Sequence, residues 1–328
     1  MVESNGTFRD RVMKHSSNGR KVCRILKVCG FTLIELLVVV AIIGVLAAIL
    51  SPVIAKSRNK ANRSRDLSNL KNQVNAFTMF SNDQKGRYPW LTTKGEGDAV
   101  MSYVQPGAPA SSPNAAPAYN WDSCLDIRRL HQARAIRETL KSARLLLSPC
   151  DPGGVNKNQA ACSAENNFFG WTQKHPNPNS REAKKNHGWM RKEIDEAAQS
   201  YSICFGADAQ KGHWGIMLLT RNHEGNWKTG YKYKYPGGEL PTGGRRARRG
   251  SMVNIEKAEG WLDPKELPPD RLRDAVTGLR ANEGQMAFCD GSAIMANDQD
   301  FQQALVMHGK SSEGILKIPN YNVTRPRH

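Results

Sequence analysis

Residues 31–50 read FTLIELLVVVAIIGVLAAIL, and this block constrains the chain more than anything else in it. Twenty helical residues at about 1.5 Å each span roughly 30 Å, the thickness of a bilayer's hydrocarbon core. A secretory signal peptide has a shorter apolar core followed by a small-residue cut site. Here the block is too long and no A-x-A site follows it. Everything after Ser51 is water-facing in composition. The expectation is one membrane anchor and one soluble body.

Charge orients the anchor. The formal net charge of the 328 residues is +17. Residues 1–30 hold seven basic residues (Arg9, Arg11, Lys14, Arg20, Lys21, Arg24, Lys27) and two acids (Glu3, Asp10), a net of +5. The remaining residues therefore carry 17 − 5 = +12. By the positive-inside rule the basic leader stays cytoplasmic and the body is exported. A basic body attracts polyanions, but a solvated basic surface with no specific partner is the preferred reading. Five of the seven cysteines follow the leader: Cys124, Cys150, Cys162, Cys204 and Cys289. None forms a CxxC pair, which argues against structural zinc. In an exported body one or two disulfides are expected.

Glu35 does not fit a plain anchor. A carboxylate at the centre of a membrane helix costs about 2.5–3.5 kcal/mol, and less near an end. Either it snorkels to the interface or it waits for a cation. A cut after Gly30 would supply one, because the new ammonium of Phe31 would sit one helical turn away.

Gly30-Phe31-Thr32-Leu33-Ile34-Glu35 resembles the prepilin cleavage and methylation motif of type IV pilins and type II secretion pseudopilins. The likeness covers about residues 30–54. It implies cleavage between Gly30 and Phe31 by a membrane prepilin peptidase and N-methylation of Phe31. It gives Glu35 the assembly role and makes Pro52 the helix-bending proline. It further implies a single-pass protein of the inner membrane, N-terminus cytoplasmic and head exported. Its partners would be other pilin or pseudopilin subunits, an assembly platform and the lipid bilayer. Met13 is an alternative start that would shorten the leader.

The fold class expected is α+β, a long bent N-terminal helix packed on a small antiparallel sheet with extra loops and short helices. Its divisions are a leader (1–30), a transmembrane half-helix (31–50), a soluble half-helix (51–85) and a globular head (86–328). Leu67, Leu70, Val74 and Phe77 share one helix face, with Arg63, Arg65, Lys71 and Asn75 opposite. The helix runs from about Thr32 to about Asn82, and Gly86 and Pro89 end it. Residues 125–147 contain a basic helical stretch, read as a packed surface helix with the stripe Ile127, Leu130, Ala133, Ile136, Leu140. Strands are expected at 201–205, 215–220 and 231–235. A hairpin at 285–289 and 292–295 would turn on Asp290-Gly291 as type I′. A short helix from Asp300 follows, capped by Asn297 or Asp298. Phe288-Cys289-Asp290-Gly291 also resembles the heads of pilin-like proteins of planctomycete and verrucomicrobial bacteria. The histidine often preceding that hairpin is missing from Arg280–Gly284.

No catalytic motif is present: no G-x-S-x-G, no H-E-x-x-H, no P-loop. No enzyme activity and no cofactor are expected. Asp298 and Asp300 offer oxygens that calcium accepts, although the same run serves as a helix cap. Arg245, Arg246, Arg248 and Arg249, with the tyrosines of 231–235, offer charge and stacking faces for a polyanion. The same residues in a solvated loop and a packed strand need no ligand, which is the preferred reading, and nucleic acid is not expected as a partner. The leading reading is a structural subunit of a pseudopilus or pilus. Its alternative is a membrane-tethered module that binds an anionic polymer and never polymerises.

Overall fold

The computed structural model describes residues 32–92, 96, 100, 127–131, 133–151, 179, 199–227, 234–235, 238–239, 251–269, 271, 275–310 and 321–326. The chain divides into two compact units, Met1–Val53 and Ile54–His328.

Helix α1 runs Leu33–Asp83 with Pro52 inside it. Proline has no N–H to give the carbonyl four residues back, so one rung of the ladder is missing there. Every described residue of the first unit, 32–53, is exposed. An apolar helix exposed all round has no protein core to enter and fits a bilayer instead. It is the one helix among the described residues long and apolar enough to cross a membrane.

In the second unit, α1 becomes amphipathic. Leu70, Val74, Phe77 and Phe80 are fully buried or nearly so. They recur every three or four residues, which keeps them on one helix face. The helix stops where Lys85 and Gly86 take positive φ (57° and 78°) and the Gly86 N–H donates back to Ser81 O at 2.7 Å. That left-handed step closes the last turn. Arg63 departs from the solvent face that periodicity gave it. Its guanidinium pairs with Glu283.

The head is built on a seven-stranded antiparallel sheet in the order β3-β6-β9-β1-β2-β7-β8. Its strands are β1 (Tyr201–Cys204), β2 (Ile216–Thr220), β3 (Asn226–Trp227), β6 (Ser251–Asn254), β7 (Gly284–Phe288), β8 (Ala293–Ala296) and β9 (Asn322–Arg325). A separate ladder joins β4 (Lys234–Tyr235) to β5 (Gly238–Glu239). Only these two residues of the expected 231–235 strand are described.

Both faces of the sheet are covered. On one, Ile203, Met217, Leu218 and Ala287 join Leu70, Phe77 and Phe80 of α1, with Trp90 and Phe205. On the other, Cys204, Leu219, Met286 and Val323 meet Trp261, Ile255 and Phe301. Phe301 belongs to a helix at Asp298–Lys310. Full burial of β1 and β2 follows from this double cover. A bulge between Ile216 and Leu218 turns two successive side chains, Met217 and Leu218, toward the α1 side.

Two expectations need correction. Residues 125–147 form no single helix. They break into α2 (Ile127–Leu130), α3 (Arg134–Leu140) and a 3-10 turn (Ala143–Leu146). The stripe is nonetheless buried in full. Lys141, in left-handed conformation (φ 58°), ends α3. The β7–β8 turn is not type I′. Asp290 keeps a negative φ and Gly291 alone is left-handed, at 88°. The Gly291 N–H donates to Phe288 O at 3.1 Å, and Phe288 N–H donates to Ser292 O at 2.9 Å. This is a turn closed by a left-handed glycine, the pattern of a longer hairpin loop.

Candidate functional site

The candidate site lies at the start of α1. Thr32 precedes the first helical residue and Glu35 stands three positions later. Glu35 N–H donates to Thr32 Oγ1 at 3.3 Å. Thr32 N–H and Thr32 Oγ1 both donate to Glu35 Oε2, at 2.9 and 2.7 Å. The pair is a reciprocal capping box, which satisfies amides that the first helical turn otherwise leaves open. The T-x-x-E spacing carried that signal in the sequence, beside the charge puzzle that drew attention to Glu35.

Glu35 Oε2 is therefore engaged, while Oε1 has no hydrogen-bond partner among the described residues. The surroundings are apolar and open: Leu33 is 81% exposed and Ile34 68%. Gly30 and Phe31 lie outside the described residues, as do Arg245, Arg246, Arg248 and Arg249.

Asp298 and Asp300 are placed as helix-terminus groups. Asp300 N–H donates to Asn297 Oδ1 at 2.8 Å, and Asn297 N–H donates to Asp300 Oδ2 at 3.0 Å. This second reciprocal cap makes Asn297 the cap residue. Asp298 Oδ1 accepts from Trp261 N–H at 2.8 Å. Among the described residues no group of three or more His, Cys, Asp or Glu is arranged to hold a metal ion.

Ionisable side chains inside the head are spent on structure. Asp151 pairs with Arg221 at 2.9 Å, side chains 0% and 3% exposed, and accepts from Ser200 Oγ at 2.8 Å. Tyr201 Oη donates to Asp66 of α1. Burial raises the Asp66 carboxyl to about 7, against the lowering effect of hydrogen bonds from Tyr201 and Ser148. Burial lowers His131, which packs against Phe77, to about 4. His223 Nε2 faces Ser202 Oγ at 3.0 Å, and Arg325 donates to the His223 carbonyl.

The described cysteines, Cys150, Cys204 and Cys289, form no disulfide with one another. Burial pushes Cys204 up to about 11, and Cys150 and Cys289 up to about 12. Such thiols stay protonated at neutral pH and are poor nucleophiles.

Comparison with known proteins places the start of α1 in a wider group. Residues 25–51 match the prokaryotic N-terminal methylation motif. The chain is 35% identical over 127 residues to the type II secretion system core protein G of Klebsiella pneumoniae, covering 39% of this chain and 79% of that protein. It is 33% identical over 84 residues to core protein G of Dickeya chrysanthemi, covering 26% of this chain and 54% of that protein. Against core protein G of Aeromonas hydrophila the identity is 34% over 88 residues, 27% of this chain and 53% of that one. No solved structure matches the chain.

Proposed function

Because the chain belongs to the pseudopilin family of the type II secretion system core protein G, we propose that it is a structural subunit of a secretion pseudopilus and performs no chemistry of its own. The leader, residues 1–30, is removed after Gly30 by a prepilin peptidase, and Phe31 becomes a methylated N-terminus. Residues 31–50 hold the chain in the inner membrane, residues 51–85 carry α1 into the head, and the head (86–328) projects on the exported side. In the filament the apolar half of α1 exchanges lipid for the same segment of neighbouring subunits, on an assembly platform in the membrane.

The observation that carries this reading is the state of Glu35. Its carboxylate closes the helix through Oε2 alone. Oε1 is left for an outside donor in a segment where no water would serve it. The methylated ammonium of a neighbour's Phe31 would supply the charge and the donor for that bond. A charge-assisted hydrogen bond is about twice as strong as a neutral one, and it fixes one register between subunits.

The test is Glu35→Ala in cells, beside the wild-type chain. The expected result is a chain starting at methylated Phe31 in both, with crosslinks between anchor helices lost only in the variant. Undiminished crosslinking without Glu35 would refute the assembly role. A wild-type chain that is processed but never crosslinks to a second copy would favour a tethered, non-polymerising module.

A further inference from the structure

A stretch of α1 ahead of the head's core is exposed throughout. Residues 51–61 are all exposed, and the head's core begins only at Asp66, which is fully buried. This neck carries Lys56, Arg58, Lys60, Arg63 and Arg65, and no acid stands between Glu35 and Asp66. Arg63 is paired with Glu283. Lys56, Arg58, Lys60 and Arg65 are exposed and make no hydrogen bond or ion pair among the described residues.

Their distribution around the helix is informative. At 3.6 residues per turn, Lys56 and Lys60 share one face, and Arg58 and Arg65 share the opposite one. A protein or nucleic-acid partner docks against one side of a helix. A layer of lipid headgroups surrounds it. The axial position fits the same partner. Val53 and Ile54 extend the apolar surface four residues past Leu50, and at about 1.5 Å per residue Lys56, Arg58 and Lys60 stand about 3, 6 and 9 Å beyond Ile54. That range matches the headgroup layer and one screening length of about 8–10 Å in physiological salt. Arg65, about 16 Å out, is beyond it.

The charges also work against the orientation of the anchor. Within fifteen residues of the apolar run, the leader side has four basic residues (Arg20, Lys21, Arg24, Lys27) and the head side has five (Lys56, Arg58, Lys60, Arg63, Arg65). Basic residues on a translocated flank weaken the positive-inside signal, so these need a use on the far side.

We propose that residues 55–60 form a cationic collar that binds acidic phospholipid headgroups on the membrane face from which the head projects. This rests on the membrane anchoring proposed above. The collar would hold the unassembled subunit upright and enrich acidic lipid around it.

The test uses the full chain reconstituted into phosphatidylcholine nanodiscs containing a minor fraction of phosphatidylglycerol, with the lipid retained after mild detergent extraction quantified by mass spectrometry. Three chains are compared: wild type, K56Q/R58Q/K60Q, and the control K257Q/K265Q/K310Q, whose lysines are exposed on the head. Wild type and control should retain phosphatidylglycerol in excess of its bulk share. Three cations at an acidic surface correspond to a preference on the order of 100-fold. The collar variant should fall back to the bulk ratio. Equal retention by wild type and collar variant, or equal loss in the control, would overturn the proposal. So would displacement of the lipid by a single-stranded oligonucleotide at matching phosphate concentration. A wild-type chain that stays out of the nanodiscs fails the anchoring itself, seen before any lipid is counted, and takes the collar with it.

Discussion

Replacing Asp66 by Asn should make the head more stable at pH 8 and change little at pH 4. Asp66 sits on the buried face of α1, fully excluded from solvent, with Tyr201 of β1 donating to it. Around it lie Ser148, Asp151 with its partner Arg221, Cys150 and Arg63. Burial outweighs the hydrogen bonds, so the carboxyl titrates near 7 in the fold against 3.8 in the free side chain. The folded state therefore holds the proton more tightly. Its contribution is complete below the unfolded value, declines as pH rises from about 4 to about 7, and is gone above that. At about 1.4 kcal/mol per pH unit, the full span is worth about 4 kcal/mol. Asparagine keeps an acceptor for Tyr201 and cannot ionise. Urea unfolding of the detergent-solubilised chain, followed by fluorescence of the buried tryptophans, gives both stabilities at each pH. Titrations shared by the two proteins cancel in the difference. The variant's advantage should grow by about 4 kcal/mol between pH 4 and pH 8. A difference that stays level across that range would mean that Asp66 is ionised in the fold throughout, and the account of its burial would be wrong.

Arg221→Met takes the cation away from the buried Asp151 carboxylate, so it should cost about 3–5 kcal/mol in the same unfolding assay. Asn297→Ala removes the cap of the last helix and should cost about 1 kcal/mol. Hydrogen exchange should rise at the amides of residues 298–301 first. Phe77→Ala empties a site shared by α1, Trp90 and His131 and should cost about 3–5 kcal/mol, read as a lower urea midpoint.

The sequence made the long helix plain because two periodic signals meet in it. An uninterrupted apolar run gives way to a stripe at three- and four-residue spacing, and both survive in α1. Strands β1 and β2 and the final hairpin were legible for a similar reason, as short apolar runs between turn residues. The second layer on the sheet was not legible. Trp261 and Phe301 stand in stretches whose own pattern announces only a loop and a short helix. Their stacking at 4.7 Å, over the face that Met286 presents, exists only after long-range closure. Lys141 ends α3 in a conformation that glycine usually supplies, so no residue type marked the break. Helical phase puts Arg63 toward solvent because it says only where a side chain starts, while a long guanidinium can reach around to Glu283. At the candidate site, the position of Glu35 was readable and its bond to Thr32 was readable in principle. That only one of its oxygens is used emerges only from the folded helix start.

This division of labour within one carboxylate has an energetic consequence. A helix terminus in the bilayer presents amides that no water can meet, and each left open costs several kcal/mol. Glu35 relieves part of that locally, through Thr32. It does so by placing a charge where charge is itself costly, by about 2.5–3.5 kcal/mol at the centre of a membrane helix and less toward an end. A lone subunit therefore keeps a residual penalty on the unused oxygen, and a neighbour's ammonium at that oxygen would remove it while satisfying its own charge. Glu35→Gln separates the two effects. The amide keeps an acceptor for Thr32 but carries no charge. The helix start should survive, insertion should be easier, and crosslinking between anchors should fall almost as far as in Glu35→Ala. Crosslinking that persists in Glu35→Gln while failing in Glu35→Ala would show that the cap, not the charge, directs assembly.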